Sequence, residues 1–324
     1  MLAASLRDAA RAGVGGALRA PLRSSDRPVG VAILYHGVGG PAREPGQELV
    51  PSVPLHHFVD QVRHLRRRYL VVAASELQAA AAQRRRGRRL PVAITFDDDD
   101  AGYVPHVLPV LDRVGVRATF FLNGASLERP RWFWWERLQA AWDRSLVDDA
   151  LLARLPVAVP SGASSLRAVG EAISTLRPDE VAKVQDVLAD RLGEDPPTGR
   201  MGPDHVRRLV DAGHEIGFHT LEHPFLPMLD DAELDRSLTE GREALETLAG
   251  APLTTFAYPS GGTDARVLEA ARRAGYRAAF TTRKARVTPA GDPLGLGRIV
   301  PQPGGAAPLS LELARTLAGR PRPS

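Results

Sequence analysis

Short apolar runs alternate with amphipathic stretches along most of this chain. Val29–Tyr35 (VGVAILY) lies between Pro28 and Gly37 and reads as a buried strand. Leu55, Phe58, Val59, Val62 and Leu65 recur at helical spacing over 55–70, and Tyr69–Val72 follows as a strand. A helix opens at Ser75 and runs to Gln83. Leu90–Phe96 (LPVAITF) is a further buried strand that runs into four aspartates. His106–Val114 reads as a helix ended by Gly115, and Arg117–Leu122 as the strand after it.

Residues 128–200 break this rhythm. They hold Trp132, Trp134 and Trp135, then helical and Pro/Gly/Ser-rich pieces, and read as a helical insertion or a lid. From 203 the alternation returns. The pattern predicts helices over Pro203–Ala212, Asp230–Leu248 and Asp264–Ala274, with strands at His214–Phe218, Thr254–Ala257 and Arg277–Thr281. No internal repeat is present. Strands alternating with helices imply a mostly parallel sheet or barrel. Chemistry in such folds sits at the carboxyl ends of the strands. His36, Asp97–Asp100, His219 and Ser260 all fall at such ends.

The 324 residues suffice for one large α/β domain or two small ones. Hydrophobic residues at 44% and charged residues at 25% match a soluble globular protein and argue against wholesale disorder. The net charge of +4 hides local arginine runs, such as Arg84, Arg85, Arg86, Arg88 and Arg89. A solvated loop is the ordinary explanation for such a run, and attraction to anionic lipid or a phosphorylated carrier is the functional one. No nucleic-acid-binding motif accompanies the charge, so no nucleic-acid partner is expected. The absence of cysteine excludes disulfides and thiolate metal ligands. Arg7, Asp8, Arg11 and Arg19 interrupt every apolar run in residues 1–22, which therefore read as neither secretory signal nor membrane span. The expectation is a cytoplasmic protein without an obligate protein partner, with peripheral membrane contact as the functional alternative.

Asp97 and Asp98 follow a buried strand directly. Two carboxylates crowded at a strand end repel unless a cation or a shared proton relieves them. One of them can then bind a metal while the other handles a proton. Asp99 and Asp100 read as a solvated acidic turn. His219-Thr220-Leu221-Glu222-His223 places two imidazoles with three residues between them, able to meet on one face of a helical turn and grip one ion. Two neutral imidazoles and a carboxylate form a hydrolytic zinc set with a position left for water. Glu222 reads as exposed and His214 as structural. Tyr258-Pro259-Ser260-Gly261-Gly262 is a tight turn that can aim backbone N–H groups at an oxyanion.

In these motifs the sequence resembles the polysaccharide deacetylases, the NodB-homology family or carbohydrate esterase family 4. Thr95-Phe96-Asp97-Asp98 stands for the family's T-F-D-D, and His219-Thr220-Leu221-Glu222-His223 for its H-[ST]-x-x-H. Gly115–Gly124 (GVRATFFLNG) and the segment GHEIGFHT match the stretches around them. The resemblance covers roughly residues 29–283 apart from the insertion. It implies a distorted (β/α) barrel of the NodB-homology type with a helical insertion at about 128–200. The domain then spans 29–310, between an N-terminal helical extension (1–28) and a C-terminal tail (311–324).

The resemblance also implies roles. Asp97 would be the general base, and Asp98, His219 and His223 would hold a divalent metal, with zinc the best suited and cobalt, nickel or manganese able to substitute. The third motif departs from the family's R-x-P-Y-G. It reads Ala257-Tyr258-Pro259-Ser260-Gly261, without the arginine that would tether the base. That form is similar to the exopolysaccharide N-acetylglucosamine subgroup, where Ser260, with Tyr258 and Pro259, would border the oxyanion and substrate. No histidine follows Gly275, so the usual late acid is missing. Tyr35-His36-Gly37-Val38 resembles the Y-H-x-[IV] start of the same subgroup and makes His36 the general acid. The implied reaction is metal-dependent removal of an acetyl or formyl group from an amino sugar, in a polysaccharide or a lipid-linked precursor. Two rivals stand beside it. One is an oxygen-ligated Mg²⁺ site acting on pyrophosphate, which leaves the histidine pair unexplained. The other is a glycan-binding protein on the same fold, impaired in catalysis by the lost arginine. The tryptophan cluster reads as the buried anchor of the insertion, with a sugar-stacking platform as the functional alternative.

Overall fold

The computed structural model describes residues 2–40, 47–127, 132–157, 165–193, 199–301 and 304–319. Its strands are β1 (Val31–Tyr35), β2 (Gly37–Val38), β3 (Ser52–Val53), β4 (Leu70–Val72), β5 (Pro91–Asp97), β6 (Thr119–Leu122), β7 (Glu215–Phe218), β8 (Thr255–Ala257), β9 (Ala278–Phe280) and β10 (Arg298–Ile299). β2 and β3 pair with each other. The rest form one parallel sheet in the order β10-β1-β5-β6-β7-β8-β9, with β4 beside the first half of β5. A parallel bridge from Phe280 to Leu296 brings β9 back toward β10. The sheet is therefore nearly closed, and helices surround it: the distorted (β/α) barrel that the alternation and the motifs imply.

Strand residues alternate between two apolar compartments, as the pleat requires. Val31, Ile33 and Tyr35 of β1, with Val92, Ile94 and Phe96 of β5, join the layer shared with the outer helices. The helix Leu55–Arg68 contributes Phe58, Val62 and Leu65 to that layer. Ala32, Ala93, Phe121, Ala257 and Phe280 belong to the inner compartment. Three of these five are alanines, so the interior has room for a long side chain entering from another strand.

Most elements fall within two residues of the sequence pattern, and the differences are local. The helix expected from Ser75 begins as a 3₁₀ turn, Ala74–Glu76, and its first turn is closed by Glu76 accepting from the Ala73 N–H. The helix expected from His106 starts at Leu108, after a turn of π-helix at Tyr103–Val107. The single helix expected over Asp230–Leu248 is two, Asp231–Thr239 and Arg242–Ala249, broken at Gly241 with φ +75°. A close backbone approach explains the break: a Cβ on Gly124 would lie 2.7 Å from the Gly241 Cα. β10 and the helix Ala306–Ala318 have no counterpart in the predicted elements.

The segment beyond β6 carries the helices Trp134–Asp143, Asp149–Leu152, Leu166–Ile173 and Pro178–Leu192. They enclose an apolar cluster of their own, with Leu138, Leu151, Val169, Val184 and Leu188 at its centre. The helix Leu2–Arg23 packs along Ala306–Ala318. Arg84 is not part of a solvated loop: it is buried and donates to the carbonyls of Leu22, Ser25 and Arg27. Among the described residues no helix is long and apolar enough to cross a membrane.

Gly217 of β7 faces the Phe121 ring at 2.5 Å from where a Cβ would stand, and the Thr255 Oγ1 at 2.7 Å. Gly217→Ala is expected to overpack this junction and cost about 1–3 kcal/mol, read as a lowered urea midpoint at constant slope. His64 gives a pH signature. Burial, with Arg19, Arg68 and Arg67 adding to it, pushes its imidazole down to about 4. The folded chain then binds fewer protons than the unfolded one between pH 4 and the ordinary histidine value near 6.5. Its contribution is whole above that window and declines as the pH falls through it. His64→Gln should leave stability at neutral pH nearly unchanged and make the protein relatively more stable than the parent at about pH 4.5, by denaturant unfolding at both pH values.

Candidate active site

Asp97 is the last residue of β5 and shares the inward direction of Thr95, two residues before it. The chain turns at Asp98, which takes a left-handed φ of 66°. That turn lets two adjacent carboxylates serve one region instead of opposite faces. Both are buried. Burial alone would raise the Asp97 carboxyl. The Arg298 guanidinium, the His219 ring and the hydrogen bonds from Arg298 outweigh it and hold the group below the ordinary carboxylate range.

Arg298 enters from β10 through the alanine-lined interior. It is fully buried and meets Asp97 with two parallel bonds, Nη1 to Oδ1 and Nη2 to Oδ2, both 2.6 Å. Its remaining donors reach Thr95 Oγ1 at 3.2 Å and the Thr281 carbonyl at 3.1 Å. The guanidinium therefore supplies the tether that motif three lacks, from a strand some forty residues later in the chain. Only the position of Arg298 in the closed sheet reveals this.

Asp98, His219 and His223 converge. The Asp98 Oδ1 lies 3.6 Å from His219 Nε2 and 3.7 Å from His223 Nε2. All three ligand atoms fall within 4.8 Å of one another. The His219 Nδ1 is 2.8 Å from the Ala257 carbonyl, which fixes the proton there and leaves the Nε2 lone pair facing Asp98. Burial pushes His219 down to about 4 and His223 to about 3, so both rings are neutral near pH 7. The Asp98 Oδ1 is buried and has no hydrogen-bond partner. A carboxylate oxygen left bare beside two neutral imidazoles fits a divalent cation. The histidine pair is not on a helical turn as its spacing suggests. It rides a loop in which Thr220 and His223 both take left-handed φ, 70° and 61°, and Thr220 Oγ1 accepts from the His223 N–H.

Neighbouring strand ends hold this loop. Asn123 Nδ2 donates to the His219 carbonyl at 2.6 Å, and the Gly124 and Ala125 N–H groups donate to Thr220 and Leu221. The Asn123 N–H in turn donates to Asp99 Oδ1 at 2.8 Å. Asp99 is thus buried and structural, and Asp100 is half-buried and accepts from the Gly102 N–H. Neither is the solvated acid the run suggested. His36, at the end of β1, borders a cavity of about 380 Å³ together with Asp98. The buried Tyr103 hydroxyl sits between the carbonyl oxygens of His36 and Asp97 and ties those two strand ends together. Ser260 lines a second cavity beside His223 and takes a left-handed φ of 54°. Tyr258 and Pro259 are buried, and the Tyr258 hydroxyl donates to the Leu294 carbonyl at 2.9 Å. Of that expected trio, the phenol is thus committed to the core. His214 accepts from the Ala118 N–H away from the triad, and Glu222 is exposed.

The insertion reaches the site at both its ends. Phe133 and Trp135 stack at 4.2 Å between centroids, and the Trp135 ring lies 4.5 Å from that of His223. Where the segment returns, Arg200 pairs with Glu136 and covers the Phe133 ring at 4.2 Å. Arg200 also adds positive potential near Asp98 and Asp99.

Comparisons with known proteins agree with this geometry. A family model described as polysaccharide deacetylase matches residues 84–279. A peptidoglycan-N-acetylglucosamine deacetylase of Bacillus cereus is 32% identical over 75 residues, which is 23% of this chain and 35% of that protein's length. Among solved structures, the Streptococcus pyogenes deacetylase PplD superposes with a TM-score of 0.61 at 16% identity, covering 88% of this chain and 98% of that one. IcaB from Ammonifex degensii superposes with a TM-score of 0.56 at 19% identity, over 88% and 96%. The family match spans more than half of the sequence, and the chain belongs to the polysaccharide deacetylase family of hydrolases. The two superpositions establish the shared fold.

Removing Arg298 would leave the Asp97 charge buried without its partner. Arg298→Leu is expected to cost about 3–5 kcal/mol in denaturant unfolding, and Arg298→Lys, which keeps the charge without the fork, to cost less. Equal stability of Arg298→Leu and the parent would show that Asp97 does not depend on the pair.

Proposed function

We propose that this chain is a metal-dependent N-deacetylase acting on an acylated amino sugar within a glycan. The convergence of Asp98, His219 and His223 beside the tethered Asp97 carries the reading. Zinc suits two imidazoles and a carboxylate best, and cobalt, nickel or manganese would serve in its place. When bound, such an ion supplies Lewis acidity toward the acyl carbonyl and toward water.

The chain's own residues account for the proton movements. Asp97, held ionised and aimed by Arg298, takes a proton from the attacking water. His36, on the wall shared with Asp98, gives a proton to the departing nitrogen, so the products are a free amino sugar and a small acid. The Gly261 and Gly262 N–H groups are spent within the turn, so the Ser260 N–H, in the wall of the cavity that His223 also lines, would steady the developing oxyanion. Substrate would reach these groups between the insertion and the loop that carries His223. The missing motif-three arginine favours a glycan-binding protein without turnover. The Arg298 tether removes that ground, since Asp97 is oriented by another route.

The metal-loaded full chain should release acetate from N-acetylglucosamine oligomers and lose that activity in chelator. Asp98→Ala, His219→Ala and His223→Ala should each lose bound metal by elemental analysis. Asp97→Asn should retain the metal while kcat falls about 10²–10⁴-fold. An active Asp97→Asn protein would remove the base assignment. Full metal content in the three ligand variants would remove the site.

A further inference from the structure

Three segments of the chain meet at the amino ends of β1, β4 and β5, the end of the barrel opposite the triad. Residues 22–27 lead into β1, residues 66–70 close the helix Leu55–Arg68 and open β4, and residues 84–90 lead into β5. Hydrogen bonds stitch them into one surface. The Gly87 N–H donates to the Arg23 carbonyl at 2.8 Å, the Leu70 N–H to the Leu90 carbonyl at 3.0 Å, and the Arg89 Nη1 to the Arg66 carbonyl at 3.1 Å. The buried Arg84 secures the first segment from below.

This surface carries nine exposed arginines against one acid, Asp26, whose carboxylate accepts from the Arg86 N–H. Exposed arginines on other faces find carboxylates, as Arg154 does in Asp190, Arg266 in Asp231 and Arg273 in Asp235. Among the described residues none of the nine pairs in this way. The whole chain is only +4, so everything outside the patch is net negative and the charge is polarised toward this end. The dipole of the helix Leu55–Arg68 accounts for cations in its last turn. It does not account for the four exposed arginines of 85–89, which lie outside any helix.

The neighbours of these arginines narrow the partner. Leu70 is 48% exposed and follows the arginines of 66–68 directly. A face for single-stranded nucleic acid offers aromatic rings to the bases, and Tyr69, the only aromatic residue of the three segments, is buried. Guanidinium groups pair with phosphodiesters, and an apolar side chain among them gains from entering a lipid interface.

We infer that this face docks on an anionic lipid bilayer, with the arginines on the headgroups and Leu70 in the interfacial layer. β5 begins in the patch at Pro91 and ends at Asp97, seven residues or about 20 Å away. The docked chain therefore holds the triad off the lipid, facing the aqueous side. The attraction fades beyond a Debye length, so salt weakens it.

The test is flotation of the full chain with vesicles of phosphatidylcholine alone and with about 30% phosphatidylglycerol added. Binding to the anionic vesicles should exceed that to the neutral ones about tenfold at about 0.05 M salt and vanish at about 0.5 M. Changing Arg66, Arg67 and Arg68 together to Glu should remove most of it. So should changing Arg85, Arg86 and Arg88 to Glu, in a loop with no helix to lose. The same change of charge on the insertion, Arg154→Glu with Arg167→Glu and Lys183→Glu, should keep most of it. The chain has no cysteine, so Leu70→Cys can carry a single environment-sensitive fluorophore. Its emission should shift to the blue on the anionic vesicles, and that of a label at Arg167→Cys should not. Equal binding to neutral vesicles, full binding by either folded arginine variant, an equal loss in the insertion variant or an unmoved label at position 70 would overturn the docking face. Tighter binding to single-stranded RNA or polyglutamate than to the anionic vesicles would overturn the lipid as its partner.

Discussion

A buried negative charge at the end of the central strand is the constraint on which this molecule is built. Asp97 could not stay ionised inside a nearly closed barrel without a cation of fixed direction. Arg298 answers it with a fork of two bonds, and the bulk of that guanidinium accounts for several other choices. Ala32, Ala93 and Ala257 leave it space, Thr95 and Thr281 take its spare donors, and the Phe121 ring lies 5.6 Å from its central carbon. A buried ion pair is seldom a source of stability in itself. Here it fixes the direction of one carboxylate, so the next residue is free to face a different partner.

Backbone geometry does the rest of the positioning. Asp98, Thr220, His223 and Ser260 are four of the five described non-glycine residues with left-handed φ. All four sit where a strand of the barrel gives way to a loop at its carboxyl end. Such conformations cost free energy for an ordinary side chain and persist where surrounding bonds over-determine them. Those bonds are present. Asn123, Gly124 and Ala125 hold the histidine loop, and the Tyr103 hydroxyl joins the ends of β1 and β5.

The barrel was legible because its strands are short, apolar and punctuated by glycine and proline. The Asp98–His219–His223 set was legible because its residue types and spacing are uncommon in combination. Other features left weaker traces. Arg298 stands in a two-residue strand after a stretch of turns, with no periodicity to mark it. Asn123 and Tyr103 act through side-chain hydrogen bonds to main-chain carbonyls, which no residue pattern encodes. Asp99 and Asp100 look solvated beside two other aspartates, and only the fold buries the first and half-buries the second. The long helix expected over Asp230–Leu248 missed its break because Gly241 is forced there by a backbone more than a hundred residues away.

The insertion keeps an apolar centre separate from the two compartments of the barrel and meets the triad chiefly through Phe133, Trp135 and Arg200. Changes in the apolar faces of its helices Leu166–Ile173 and Pro178–Leu192 therefore load its own packing and not that of the strands. A sequence change absorbed among these helices is insulated from the barrel, so the two apolar centres can drift at different rates within one polypeptide.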